Sequence, residues 1–194
     1  MNRKRRRSEV ILIGPPAAGK STIAGELCKS LSAPVVSLDE LAEAFLPELG
    51  FDVTEAEARF AQGFSHWRAY VAKFEVQLLS ISMKMFEDCI FDIGAGFVVA
   101  DHDAAITSLP SQALKGFSNV VHVTPALEPQ LALTICYERL CQRNLPDVSH
   151  AQCMEIARYF SARSEDFERL ATVSVVTQSE SPAQSVIRIL KYIS

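Results

Sequence analysis

The chain has 194 residues, 48% of them hydrophobic and 22% charged, with a net charge of −4. That mix excludes a disordered polypeptide, and Asp88, Asp92, Asp101 and Asp103 break the most hydrophobic stretch before it reaches the ~18 apolar residues of a membrane span. Five cysteines, Cys28, Cys89, Cys136, Cys141 and Cys153, form no CxxC pair and are odd in number, which points to a reduced, cytoplasmic setting rather than a disulfide scaffold.

Residues 1–8 carry Arg3, Lys4, Arg5, Arg6 and Arg7, five of the 19 basic groups, and leave a body of 14 basic against 23 acidic groups. The run reads as a basic, flexible N-terminus, and the apolar stretch after it is too short for a signal peptide. A first strand is expected over residues 9–14, followed by a helix over 20–32. A second strand at 34–38 leads into a helix at 39–46, and a long helical piece covers about 55–86. Thr54 and Glu57 form a capping-box pattern at its start. A third strand follows at 89–93, a helix at 103–115, a fourth strand at 119–124 and a helix at 128–142. The chain closes with a helical stretch at 149–171, a fifth strand at 173–177 and a helix at 182–193, where Pro182 fits a first helical position. Continuous apolar strands separated by helices predict an α/β fold, with a parallel sheet covered on both faces.

The strongest motif is Gly14-Pro15-Pro16-Ala17-Ala18-Gly19-Lys20-Ser21, a full GxxxxGK[ST] match entered by an apolar strand and left by a helix that begins Ser21-Thr22. Such a loop turns backbone N–H groups onto phosphate oxygens, at a helix N-terminus that favours anions. Lys20 is then expected on the outer phosphates and Ser21 on Mg²⁺. The expected ligands are therefore a nucleoside triphosphate and Mg²⁺.

Other residues fall at the C-terminal ends of strands, where ligands of such sheets bind. Asp39 follows the second strand and suits either the acceptance of a substrate hydroxyl proton or the capping of the next helix. Asp92 ends the third strand and precedes Gly94-Ala95-Gly96, whose backbone lets a polar ligand approach closely. Arginines crowd the segment after residue 138, at Arg139, Arg143, Arg158, Arg163 and Arg169, as expected where an acidic protein handles an anion. The histidines lack metal-ligand spacing, and His122 reads as a core residue.

With these residues in this order, the chain resembles the shikimate kinases over roughly residues 9–193. The resemblance implies a P-loop kinase with a five-stranded sheet in the order 2-3-1-4-5, a substrate-binding helical region at about 40–86 and a lid at about 139–152. It implies transfer of a phosphoryl group from ATP to a small hydroxy acid, with shikimate favoured and shikimate 3-phosphate as product. Asp39 would contact the acceptor hydroxyls and Gly94, Ala95 and Gly96 would offer backbone contacts. Arg68 and Arg163 would clamp the acceptor carboxylate, and Arg139 or Arg143 would fold over ATP. The chain departs from the family pattern at Ser37, Ala95 and Val71, where the family has aspartate, glycine and glutamate. Glu75, one turn beyond Val71, is the nearest replacement for that glutamate. Asp92 is expected to take over the metal-side role that Ser37 fills weakly. The resemblance implies a monomer with no membrane partner, and nucleic acid is disfavoured. A gluconate-type kinase and a non-catalytic nucleotide-dependent binding module are the alternatives, while a nucleoside monophosphate kinase lacks its Asp-Gly-aromatic-Pro-Arg segment here.

Overall fold

The computed structural model describes residues 9–99, 108–143 and 148–193. Five strands form one all-parallel sheet: β1 (Val10–Ile13), β2 (Val35–Ser37), β3 (Ile90–Asp92), β4 (Val120–Thr124) and β5 (Val173–Val176). Their spatial order is β2-β3-β1-β4-β5, the predicted one. Parallel strands need long crossovers, and helices supply them: α1 (Lys20–Leu31), α2 (Leu38–Phe45), α3 (Val53–Gln62), α4 (Phe64–Met85), α5 (Leu109–Leu114), α6 (Pro129–Gln142), α7 (His150–Ser161), α8 (Ser164–Leu170) and α9 (Pro182–Ile193).

Alternation along β1 divides the core between the two faces of the sheet. Ile11 and Ile13 face Leu38, Leu78, Leu79, Phe160 and Phe167, from α2, α4, α7 and α8. Val10 and Leu12 face Ile23 and Leu27 of α1 and Val186 and Ile189 of α9. All four β1 side chains have no solvent exposure, as expected of a central strand covered on both sides.

The long helical piece expected over 55–86 is two helices, separated at Gly63 with φ 129° and ψ 156°, a conformation that only glycine adopts readily. The N-cap of α3 is Asp52, whose Oδ1 accepts from the N–H groups of Thr54 and Glu55, so the expected Thr54 capping box does not form. The 149–171 stretch also divides, after Ser161, and Arg163 stands as the N-cap of α8. At Pro182 the expectation holds: Ser181 and Gln184 exchange hydrogen bonds across the first turn of α9. The basic run at 1–8, the first part of the 103–115 helix and residues 144–147 of the expected lid lie outside the described residues.

Candidate functional site

The phosphate loop joins β1 to α1 and is held from three directions. Gly14 has φ +144°, and a Cβ there would sit 2.1 Å from the Val123 carbonyl oxygen of β4. Beyond β5, the Thr177 hydroxyl donates to the Ala18 carbonyl at 2.9 Å. From α6, Arg139 Nη1 donates to the Ala17 carbonyl at 3.2 Å. Ala17 itself has φ 60°, a left-handed turn that costs a non-glycine residue about 1 kcal/mol. An open cleft of about 430 Å³ adjoins the loop, lined among others by Gly19, Thr22, Arg139, Arg143, Thr177 and Pro182.

Lys20 is 8% exposed. Its ammonium donates to the loop's own Gly14 and Pro15 carbonyls at 3.0 and 2.9 Å. Burial lowers its pKa, while the Asp92 and Asp39 carboxylates pull it upward. Asp39, in the first turn of α2, shows the converse: burial raises its pKa, opposed by Lys20 and reinforced by the Asp92 and Glu75 charges. A Cβ on Gly94 would lie 2.1 Å from Asp39 Oδ1, so the missing side chain is the space in which that carboxylate sits. Helix α2 is capped by Ser37, whose hydroxyl accepts from the Glu40 N–H at 3.3 Å. That leaves Asp39 clear of the capping duty the sequence allowed it. Asp92 stands level with Ser37 on β2 and Leu12 on β1. The exposed Arg143, at the C-cap of α6, adds its charge to the group formed by Lys20 and Asp39.

Arg68 is 1% exposed. Its Nη1 donates to Glu75 Oε2 at 2.6 Å, and its Nη2 donates to the Gly96 and Val99 carbonyls at 2.9 and 3.1 Å. The Tyr159 hydroxyl also bears electrostatically on the guanidinium. Only Nε lacks a protein partner among the described residues. The guanidinium that the resemblance would put on a carboxylate is thus committed to bracing the loop after β3. Gly96 makes room for it, because a Cβ there would meet Arg68 Nη1 at 2.5 Å and Glu75 Oε1 at 2.6 Å. Arg163 folds back over the end of α7. Its guanidinium lies 3.7 Å above the Tyr159 ring and its Nη1 donates to the Tyr159 carbonyl at 2.9 Å.

Lys20, Asp39, Asp92 and Arg143 therefore form one electrostatic group, while Arg163 lies against Tyr159, whose hydroxyl bears on Arg68 and through it on the Gly96 carbonyl. Sequence reasoning missed Thr177 and Tyr159. Thr177 carries no motif, but Tyr159 sits four residues before Arg163 in a helical stretch, the spacing at which side chains meet. The Asp39 and Asp92 carboxylates around Lys20, with the exposed Ser21 next in sequence, fit Mg²⁺, which takes one or two protein ligands together with phosphates and water. Among the described residues no group of three or more His, Cys, Asp or Glu side chains forms a metal cage.

A shikimate kinase of Acinetobacter baumannii, solved in complex with shikimate, superposes with a TM-score of 0.66 at 18% identity, covering 96% of this chain and 92% of that one. The Bacteroides thetaiotaomicron shikimate kinase superposes at 0.60 with 19% identity, over 94% and 96%. At such identities the likeness is one of fold. In sequence, 34 residues are 56% identical to the shikimate kinase of Corynebacterium efficiens, covering 18% of this chain and 20% of the relative. Over 81 residues the chain is 35% identical to human adenylate kinase 8, covering 42% and 15%. The matched stretches thus span a fifth or less of each relative. The family described as an AAA domain, AAA_33, matches residues 10–162. A match over most of the chain, on a sheet of this order and with this phosphate loop, makes the chain a member of the AAA_33 family with the P-loop kinase fold of the shikimate kinase type.

Proposed function

We propose that the protein is an ATP-dependent kinase of a small hydroxy acid, with shikimate as the favoured acceptor. The observation that carries this reading is the Asp39 carboxylate packed into the gap at Gly94 beside the buried ammonium of Lys20. A phosphate loop alone serves many chemistries. A carboxylate next to it whose pKa is raised, seated in the gap that Gly94 leaves, suits the removal of a hydroxyl proton.

On this reading the N–H groups of the 14–21 loop and the N-terminus of α1 receive the phosphates. Lys20 exchanges the Gly14 and Pro15 carbonyls for phosphate oxygens. The acceptor hydroxyl gives its proton to Asp39 as its oxygen forms the new bond to phosphorus. The bridging phosphorus–oxygen bond breaks, with its electron pair leaving on the ADP oxygen. Ser21 and Asp92 would hold Mg²⁺ directly or through water, and the ion would neutralise charge on the phosphate oxygens. Arg139 and Arg143 border the cleft beside the loop and would cover the nucleotide. Gly94, Ala95 and Gly96 would line the acceptor. Arg163 would take its acid group, with Arg68 acting from behind. A nucleotide and one small acceptor fill such a site without a membrane or nucleic-acid partner.

The test is ADP release with shikimate, quinate, gluconate or nucleoside monophosphates as acceptor. Acid-dependent release with shikimate strongest is expected, and it should vanish in Lys20→Ala. Release with nucleoside monophosphates alone would replace this reading with a nucleotide kinase.

A further inference from the structure

Tyr159 is 7% exposed and connects two arginines. The Arg163 guanidinium stacks on its ring at 3.7 Å, and its hydroxyl bears electrostatically on the buried Arg68. Arg68 in turn holds the Gly96 and Val99 carbonyls and the Glu75 carboxylate. Phe64, at the first position of α4, meets the Tyr159 ring edge-on with centroids 5.2 Å apart, so the ring has a fixed seat. A stack on an aromatic face and a hydrogen bond to the carbonyl four residues back together define the plane of the Arg163 fork. A planar guanidinium recognises a carboxylate in two-pronged fashion only when its plane is set.

We infer that Tyr159 is a positioning residue: it aims Arg163 at the acid group of the acceptor and ties that arginine, through Arg68, to the 94–96 loop on the other side of the acceptor. The inference rests on the acid-acceptor reading above and adds to it the means by which acids are told from neutral polyols. Arg163 reads the charge and Tyr159 sets its direction. Arg68 transmits the loop position without touching the acceptor. An aromatic ring is needed for the stack and a hydroxyl for the link, so the two halves separate by substitution. Tyr159→Phe keeps the stack and removes the link, whereas Tyr159→Leu removes both.

The experiment is steady-state kinetics on the full chain with shikimate, quinate and gluconate, each against its uncharged methyl ester. In the parent the free acid should be preferred. Tyr159→Phe should raise the KM for the acid several-fold and Tyr159→Leu tenfold or more. In both variants the KM for ATP should hold and the preference of acid over ester should shrink. Equal acid preference in parent and Tyr159→Phe, or a rise in the ATP KM matching that of the acid, would overturn the positioning role. A parent that turns over none of the acids would instead sink the acid-acceptor reading itself, and this inference with it.

Discussion

His122 lies on β4 with 3% exposure, stacked on Phe167 with ring centroids 5.7 Å apart. Neither of its ring nitrogens has a protein partner among the described residues. Burial, helped by the Lys20 charge, lowers its pKa from 6.5 to about 4. Between those values the unfolded chain binds a proton that the folded one refuses. Stability therefore falls as the pH drops through that window, by about 3 kcal/mol for the full shift. Urea unfolding of the parent and of His122→Leu at pH 7 and pH 4 should show this loss in the parent and a smaller one in the variant. Equal losses would mean that other groups carry the acid sensitivity. Asp39 is displaced in the opposite direction: burial lifts its pKa, so the folded protein takes up that proton above the ordinary carboxylate range. If Asp39 is the base, turnover should rise with pH along a limb set by this raised value. Asp39→Asn should abolish the limb and lower turnover by roughly 10²–10⁴-fold. A limb of unchanged position in the variant would assign it to another group.

At the scale of elements, the sheet was legible because each strand is a short apolar run bounded by turn residues, and the order followed from the resemblance. Helix breaks were harder to see. Residues 55–86 read as one amphipathic run because the apolar period continues across Gly63, and one residue with φ 129° leaves no mark in that period. Glu155 of α7 accepts a hydrogen bond from the Phe64 N–H at 3.1 Å, and so helps the first turn of α4 where no local side-chain cap is present. A Cβ on Gly63 would find only the Glu155 carboxylate oxygen and a His66 ring nitrogen, both at 3.8 Å. The space is ample and the backbone is the obstacle. Gly63→Ala should therefore destabilise by about 1–3 kcal/mol through strain alone, read as a lower Tm. An unchanged Tm would mean that the α3–α4 junction relaxes into an ordinary conformation. The candidate site was legible in the same uneven way. Lys20, Asp39 and Asp92 follow from strand ends, a property of topology. The burial of Arg68 did not, because it depends on Glu75 seven residues on and on carbonyls of the loop at 96–99.

Across the whole molecule, the site is held against the preferences of its parts. A lysine, two aspartates and a glutamate share the crevice at the C-terminal edge of β1, β2 and β3, and burial works against the charge of Lys20. For Lys20 burial outweighs the attraction of Asp39 and Asp92, and its pKa falls below the usual value. The protonated ammonium is thus less favourable in the folded protein than in the unfolded one, and stability gains as pH rises through the lowered pKa. Lys20→Met removes the desolvated charge and keeps the apolar stem, while Asp39 can take up a proton once its counter-charge is gone. The variant should melt no lower than the parent at pH 7 although it no longer turns over. Nucleotide linkage separates this from a simple loss of folding. Nucleotide triphosphate at about 100 times its Kd should stabilise the parent by about 2.7 kcal/mol and Lys20→Met far less. A variant that melts well below the parent would place the ammonium among the groups that hold the fold together. One that gains as much from nucleotide as the parent would remove Lys20 from the phosphate site.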